Sequence, residues 1–243
     1  MTRWNELTWP QVREAVERQP VAILALGAVE EHGPHLPLGT DVYAAEAFSA
    51  RIAEAADLLE LPVLPYGQVW SLEHFDGSLS ISDATLVSLL VELAAGLQQV
   101  GVKGLVLYSA HLGNAAAMKS AVRRLEETGG LPAIALTYPG LSAVADQVAQ
   151  SPRSHPAIMH ADELETSVML AVREDLVHMD RAVREYPDYP PHFEAAPLRW
   201  DTLSSSGVFG DATAATQEKG RRIVDHVVAT AAEIVGAWKE GLR

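Results

Sequence analysis

Short, unbroken apolar runs alternate along this chain with longer segments whose apolar positions recur every three to four residues. Val21-Ala22-Ile23-Leu24-Ala25-Leu26 is apolar at every position, the pattern of a strand covered on both faces. Leu61 to Gly67, Gly104 to Tyr108 and Pro132 to Tyr138 read as further strands. Between them lie helical patterns. Val42 to Ala56 is rich in alanine; Leu86 to Val100 is started by Ser82-Asp83-Ala84-Thr85 and stopped by Gly101; residues 115–127 end at Gly129-Gly130. Ahead of the first strand, Thr8 and Trp9-Pro10 begin a short capped helix. Each strand-to-strand connection contains a helix, so the strands are expected to be parallel, with right-handed crossovers.

The second half is less regular. Leu141 to Pro156 reads as a helix followed by a loop, and Val168-Met169-Leu170-Ala171-Val172 belongs to an amphipathic helix. A last helix from Thr216 to Trp238 carries the apolar stripe Ile223, Val227, Val228, Ala231, Ile234 and Val235. Gln68 to Ser82 has no clear period and is expected to be a loop over the carboxyl edge of the sheet. Arg181 to Asp201, rich in proline, tyrosine and charge, reads as an irregular surface arm suited to subunit contacts.

Composition narrows the classes. With 243 residues, 48% of them hydrophobic, the chain suffices for one α/β domain, expected to span residues 1–243. Eighteen basic against 32 acidic residues give a net charge of −14, which argues against nucleic acid or an anionic membrane surface as partner. There is no cysteine, so any metal ligands come from His, Asp and Glu. No apolar run reaches the roughly 18 residues of a membrane span, and no signal-type segment opens the chain; a cytoplasmic protein is expected.

The candidate chemistry lies at strand ends. Gly27 to Asp41 packs Glu30, Glu31, His32, His35 and Asp41 among turn residues directly after the first strand, where open α/β sheets place their ligands. If the backbone stays extended there, Glu30 and His32 face one side and Glu31 the other. Mixed carboxylate and imidazole suits zinc, manganese or iron and not calcium. The third strand ends in Ser109-Ala110-His111-Leu112-Gly113-Asn114, bringing imidazole to the same edge. A further block, His160-Ala161-Asp162-Glu163-Leu164-Glu165-Thr166-Ser167, puts His160 and Glu165 near the first turn of a helix, which favours anions. Trp70 and His74, in the loop over the edge, either line a substrate pocket or cover apolar surface.

The string Gly27-Ala28-Val29-Glu30-Glu31-His32-Gly33-Pro34-His35-Leu36-Pro37-Leu38-Gly39-Thr40-Asp41 resembles the signature of the creatininase family, metal-dependent amidohydrolases that act on amide C–N bonds. The blocks at 109–114 and 160–167 are similar to two further family motifs, in the same order. The resemblance implies a three-layer α/β/α sandwich with a mainly parallel central sheet. It implies two divalent metal ions, with Glu30 and His111 on one, His32 on the second and Asp41 bridging; Glu165 is the choice to complete the ligands of the second metal. His160 would be the general acid for the leaving nitrogen, and Trp70, His74, Leu112 and Asn114 would border a small-molecule substrate. It also implies a homo-oligomer, a hexamer. Ser109, Ala110 and Leu112 depart from the family's Asn, Gly and Gly. Gly113 stands where creatinine hydrolases carry a metal-binding Glu, which argues against creatinine as substrate.

Other readings stay open at this point. One is a peptide-terminus or carbocycle hydrolase of the same family; another is a binding or regulatory module without turnover. No Gly-x-Gly-x-x-Gly follows the first strand, and no Gly-x-Ser-x-Gly elbow occurs, which removes the dinucleotide-binding and serine-hydrolase templates.

Overall fold

The structure, a computed structural model, describes residues 2–156 and 158–242. Its central sheet is built from β1 (Thr2–Arg3), β2 (Val21–Leu26), β3 (Leu59–Glu60), β4 (Gly104–Ser109) and β5 (Ala133–Thr137), in the spatial order β1-β3-β2-β4-β5. Every neighbouring pair is parallel. The helices are α1 (Trp9–Arg18), α2 (Thr40–Ala56), α3 (Asp83–Gln99), α4 (Ala115–Glu127), α5 (Leu141–Val148), α6 (Glu163–Arg173) and α7 (Gln217–Glu240).

Alternation along the two central strands makes three layers. Val21, Ile23 and Ala25 of β2, with Val106 and Tyr108 of β4, pack against Phe48 and Ile52 of α2, Val144 of α5, Val168 of α6 and Ile223 and Val227 of α7. Ala22, Leu24, Leu26, Leu105 and Leu107 point the other way, against Val16 of α1, Leu86 and Leu90 of α3 and Met118 and Leu125 of α4. The expected α/β/α sandwich is what the chain builds. Thr8 caps α1 through a capping box with Gln11, and Ser82 caps α3 through the Thr85 amide.

Some local expectations shift. The strand expected at 61–67 pairs earlier, at Leu59–Glu60; beyond it the chain follows β2 only through scattered bonds, such as Leu64 N–H to Ala25 O. Pro62 and Pro65 lack the donors a continuous ladder needs. The edge strand β1 carries no hydrophobic run to announce it. Ile234, assigned to the apolar stripe of the last helix, is 39% exposed, whereas Ile223, Val227, Ala231 and Val235 are fully buried. Among the described residues, no helix is long and apolar enough to cross a membrane.

The order of strands creates a crevice. After β2 the chain crosses to β3 on one side, whereas β4 and β5 lie on the other, so the loops leaving β2 and β4 diverge at the carboxyl edge. Such a switch point is where open parallel sheets bind ligands.

Candidate metal centre

Four segments deliver polar side chains to this crevice. The loop after β2 brings Glu30 and His32; the first turn of α2 brings Asp41; the loop after β4 brings His111; His160 and the first turn of α6 bring the rest. Glu30, His32, Asp41, His160 and Glu165 are at most 4% exposed, and His111 is 8% exposed. His111 Nδ1 lies 3.0 Å from Glu30 Oε1 and 3.1 Å from Asp41 Oδ2. His32 Nε2 lies 3.5 Å from both Asp41 Oδ1 and Glu165 Oε2. Three triads of possible ligands form: Glu30-Asp41-His111 and His32-Asp41-Glu165 share Asp41, and Glu30-His32-His160 joins His160 to the same cluster.

Backbone carbonyls fix how both imidazoles present themselves. His32 Nδ1 is 3.1 Å from Glu30 O, and His111 Nε2 is 2.7 Å from Gln68 O. A carbonyl only accepts, so those nitrogens carry the protons and the opposite nitrogens aim their lone pairs at the carboxylates. That geometry fits a cation. Glu30 Oε2, His32 Nε2 and Asp41 Oδ2 are buried without a hydrogen-bond partner, and leaving such atoms unpaired is costly. Without a metal, protons must serve instead. Burial alone would push the His32 and His111 imidazoles down, but the carboxylates beside them, Glu165 and Asp41 for His32 and Glu30 and Asp41 for His111, hold both well above the ordinary histidine value. Asp41 shows the converse: burial would raise its carboxyl, yet His32 and His111 hold it well below the usual range.

His160 has a separate partner. Its Nε2 is 2.9 Å from Glu31 Oε1, and its Nδ1 faces Glu30 Oε1 at 3.8 Å. Burial and the neighbouring His32 push its imidazole down, and the bond to Glu31 more than offsets them, so it is raised. Glu31 is itself held, accepting the Gly33 N–H at 2.8 Å, while its own N–H donates to Ser78 Oγ. Glu30 and His32 both reach the ligand cluster, Glu31 meets the outer nitrogen of His160, and just beyond them the chain turns through Gly33 at φ +67°.

The third block is tied to the centre by its backbone. Asp162 is the N-cap of α6, taking the N–H groups of Leu164 and Glu165, and burial raises its carboxyl to about 7. Ala161, at φ +50°, directs its N–H to Glu165 Oε2 at 2.6 Å. Glu163, at the start of α6, is buried in an ion pair with Lys219 Nζ at 2.5 Å. His35 is buried against Thr166 Oγ1 at 2.8 Å, and burial followed by the nearby His32 lowers it to about 4.

A cavity of about 240 Å³ opens beside the centre, lined by Ser71, Leu72, Leu112, Ile158, Met159 and Trp200 as well as by the cluster itself. Leu112 is thus at the wall. Trp70, His74 and Asn114 are not among the residues that line it. Trp70 stacks under Arg199, with the guanidinium carbon 3.8 Å from the ring centroid. His74 is exposed and pairs with Asp201 at 3.2 Å. Asn114 is a buried strut, accepting the Gln68 N–H and donating to Gly27 O. Ile158, Met159 and Trp200 were not picked out by sequence; Trp200 lies in the arm, where no periodicity marks it.

Comparison with known proteins finds the same architecture. The family model described as creatininase, creatinine amidohydrolase, matches residues 5–235. A creatinine amidohydrolase of Pseudomonas putida is 30% identical over 246 residues, 95% of this chain and 95% of that one. A mycofactocin precursor peptide peptidase of Mycolicibacterium smegmatis is 30% identical over 231 residues, 90% of this chain and 86% of the relative. A solved creatininase superposes with a TM-score of 0.86 at 30% identity, covering 98% of this chain and 97% of its own. A creatininase variant described as the Zn-Zn type gives 0.84 at 30% identity, covering 99% and 98%.

Proposed function

The chain belongs to the creatininase family, and from that premise we propose that it is a hydrolase using two divalent metal ions, zinc, manganese or iron, to cleave an amide-type C–N bond in a small amide, lactam or formamide. The observation that carries this reading is the pair of triads sharing Asp41, with both imidazoles turned by carbonyls to offer lone pairs. Glu30, Asp41 and His111 would hold one ion and His32, Asp41 and Glu165 the other. When bound there, two such ions would lower the pKa of water toward neutrality and polarise the substrate carbonyl.

The remaining chemistry falls to the protein. Glu31 accepts the Nε2 proton of His160, which leaves Nδ1 toward the centre to take up and pass on a proton there as the imidazolium forms and discharges. His160 delivers that proton to the nitrogen that leaves, the part of amide cleavage that needs an acid. Leu112, Leu72, Met159 and Trp200 keep bulk water from the reacting bond. The cavity volume lies below the roughly 300–1,000 Å³ of sites for drug-sized ligands, which supports a small molecule over a peptide terminus.

The same reading treats residues 1–243 as one domain working in the cytoplasm as a homo-oligomer, with the hexamer as the expected assembly. Light scattering tests the assembly. The function is tested by screening the metal-loaded protein on formamides, lactams and cyclic ureides beside Glu30→Gln and His111→Ala. Both variants lose metal and turnover while staying folded; full activity in either removes that residue from the ligand set.

A further inference from the structure

One wall of the cavity is built unlike the rest. The metal-binding side is acid and imidazole, whereas the opposite side is Leu72, Leu112, Ile158, Met159 and the indole of Trp200. Trp200 comes from the irregular arm, yet its position is fixed from several directions. On one flank, Arg199 donates to Trp70 O, stacks on the Trp70 ring and pairs with Glu73 at 2.6 Å. On the other flank, Asp201 pairs with His74. Behind it, Phe209 is fully buried with its ring centroid 4.8 Å from the indole. The indole itself stands 5.8 Å from the His160 ring at 75°. A tryptophan clamped on both flanks and backed by a buried ring keeps a rigid apolar surface beside the proton donor.

Charge sharpens the point. No lysine or arginine is among the described residues lining this cavity, and Arg199, next to Trp200 in sequence, is engaged by Trp70 and Glu73. A carboxylate on the group packed against this wall would be buried among apolar side chains with no lysine or arginine to pair it, away from the ions and imidazoles of the metal-binding side.

We infer that Trp200 determines specificity, and that the substrate is an uncharged amide whose scissile bond lies next to a planar apolar group, aromatic or heteroaromatic, stacked on the indole. The inference rests on the hydrolase reading for its reaction, but its ligand recognition can be measured without turnover. The planar group meets the indole together with Leu72, Leu112, Ile158 and Met159, surroundings that favour aromatic contacts over saturated ones.

Equilibrium binding to the metal-loaded protein, followed by intrinsic fluorescence, compares benzamide, acetamide and 4-carbamoylbenzoate. Benzamide is expected to bind about tenfold more tightly than acetamide and than the carboxylate. Trp200→Ala collapses the benzamide-to-acetamide preference by about tenfold, and Trp200→Phe keeps it within about threefold. A structural role alone would weaken both amides equally and leave the preference intact, which overturns the inference. Tighter binding of 4-carbamoylbenzoate than of benzamide overturns it as well. Hydrolysis of formanilide and N-methylformamide is measured in parallel. Turnover of neither, with the benzamide preference present, sinks the hydrolase reading and leaves the recognition standing; turnover of both with no preference does the reverse.

Discussion

Lys219→Met removes the cation from a buried pair that ties α6 to α7. The Lys219 side chain is 9% exposed and that of Glu163 2%, and the ammonium also donates to Gln150 Oε1 at 3.0 Å and Ala214 O at 2.6 Å. Breaking one side of a buried pair costs about 3–5 kcal/mol, because the other charge is left without its partner. Glu163 keeps the N–H groups of Gln150 and Ser151 and the Ser151 hydroxyl, so the lower end applies, about 3 kcal/mol. For a chain of this length that is a fall of roughly 6–12 °C in Tm. Replacing both partners, as in Glu163→Gln with Lys219→Met, recovers part of the loss, since no uncompensated charge remains.

The pH dependence has a definite sign. Burial would raise the Glu163 carboxyl, but the bond from Lys219, with those of Ser151 and Gln150, lowers it below its ordinary value of 4.5. A carboxyl depressed in the folded state contributes stability above the unfolded value, and that stability is lost as pH falls through the folded value. The difference between wild type and Lys219→Met is therefore full at neutral pH and shrinks below pH 4.5. Urea unfolding of the chelator-treated proteins from pH 7 to about 3 measures it, and the metal-free cluster, common to both, cancels in the difference. A loss under about 1 kcal/mol at pH 7, or a gap that does not narrow in acid, would refute the reasoning.

Other outcomes follow from the same geometry. Asp41→Asn, which weakens the shared corner of both triads, lowers bound metal from about two ions per chain to below one by elemental analysis; full occupancy would deny Asp41 its bridging place. Glu31→Gln leaves metal content unchanged but lowers kcat by about 10- to 100-fold, since His160 loses the carboxylate that holds its Nε2; unaltered kcat argues against that role. On α7, Gly220→Ala would set a Cβ 1.8 Å from Ser167 O and costs about 1–3 kcal/mol or more, whereas Gly236→Ala meets nothing within 4 Å and adds up to about 1 kcal/mol; paired thermal melts check the contrast.

The parts of the fold legible in the sequence are those where one local rule acts without a rival. Val21–Leu26 is bounded as its apolar run is, and α4 runs over 115–127 because the run ends at paired glycines. The rule fails where the partner is remote. Leu59–Glu60 becomes a strand because Ala22 and Ile23 lie beside it, while the more apolar Leu61 to Gly67 is interrupted by prolines. Trp200 was not picked out, for a related reason: it reaches the cavity because Arg199 and Asp201 grip a loop more than 100 residues earlier in the chain.

The rest of the site shows why its residues could be picked out while their partners could not. Asp41 and Glu165 sit in first helical turns, where free amides and the helix dipole favour negative charge, a preference written into the local sequence. His32 and His111 follow fully buried strands, so their loops must emerge at the carboxyl edge whatever their chemistry. What no local pattern encodes is the crossover from β2 to β3 that parts the two loops and lets the triads share one carboxylate. The ligands are local features, and the distance between them is a property of strand order. A change that preserved every ligand but displaced β4 from β2 would therefore abolish the centre, whereas changes in the arm around Trp200 would leave the ligands in place and alter what is bound beside them.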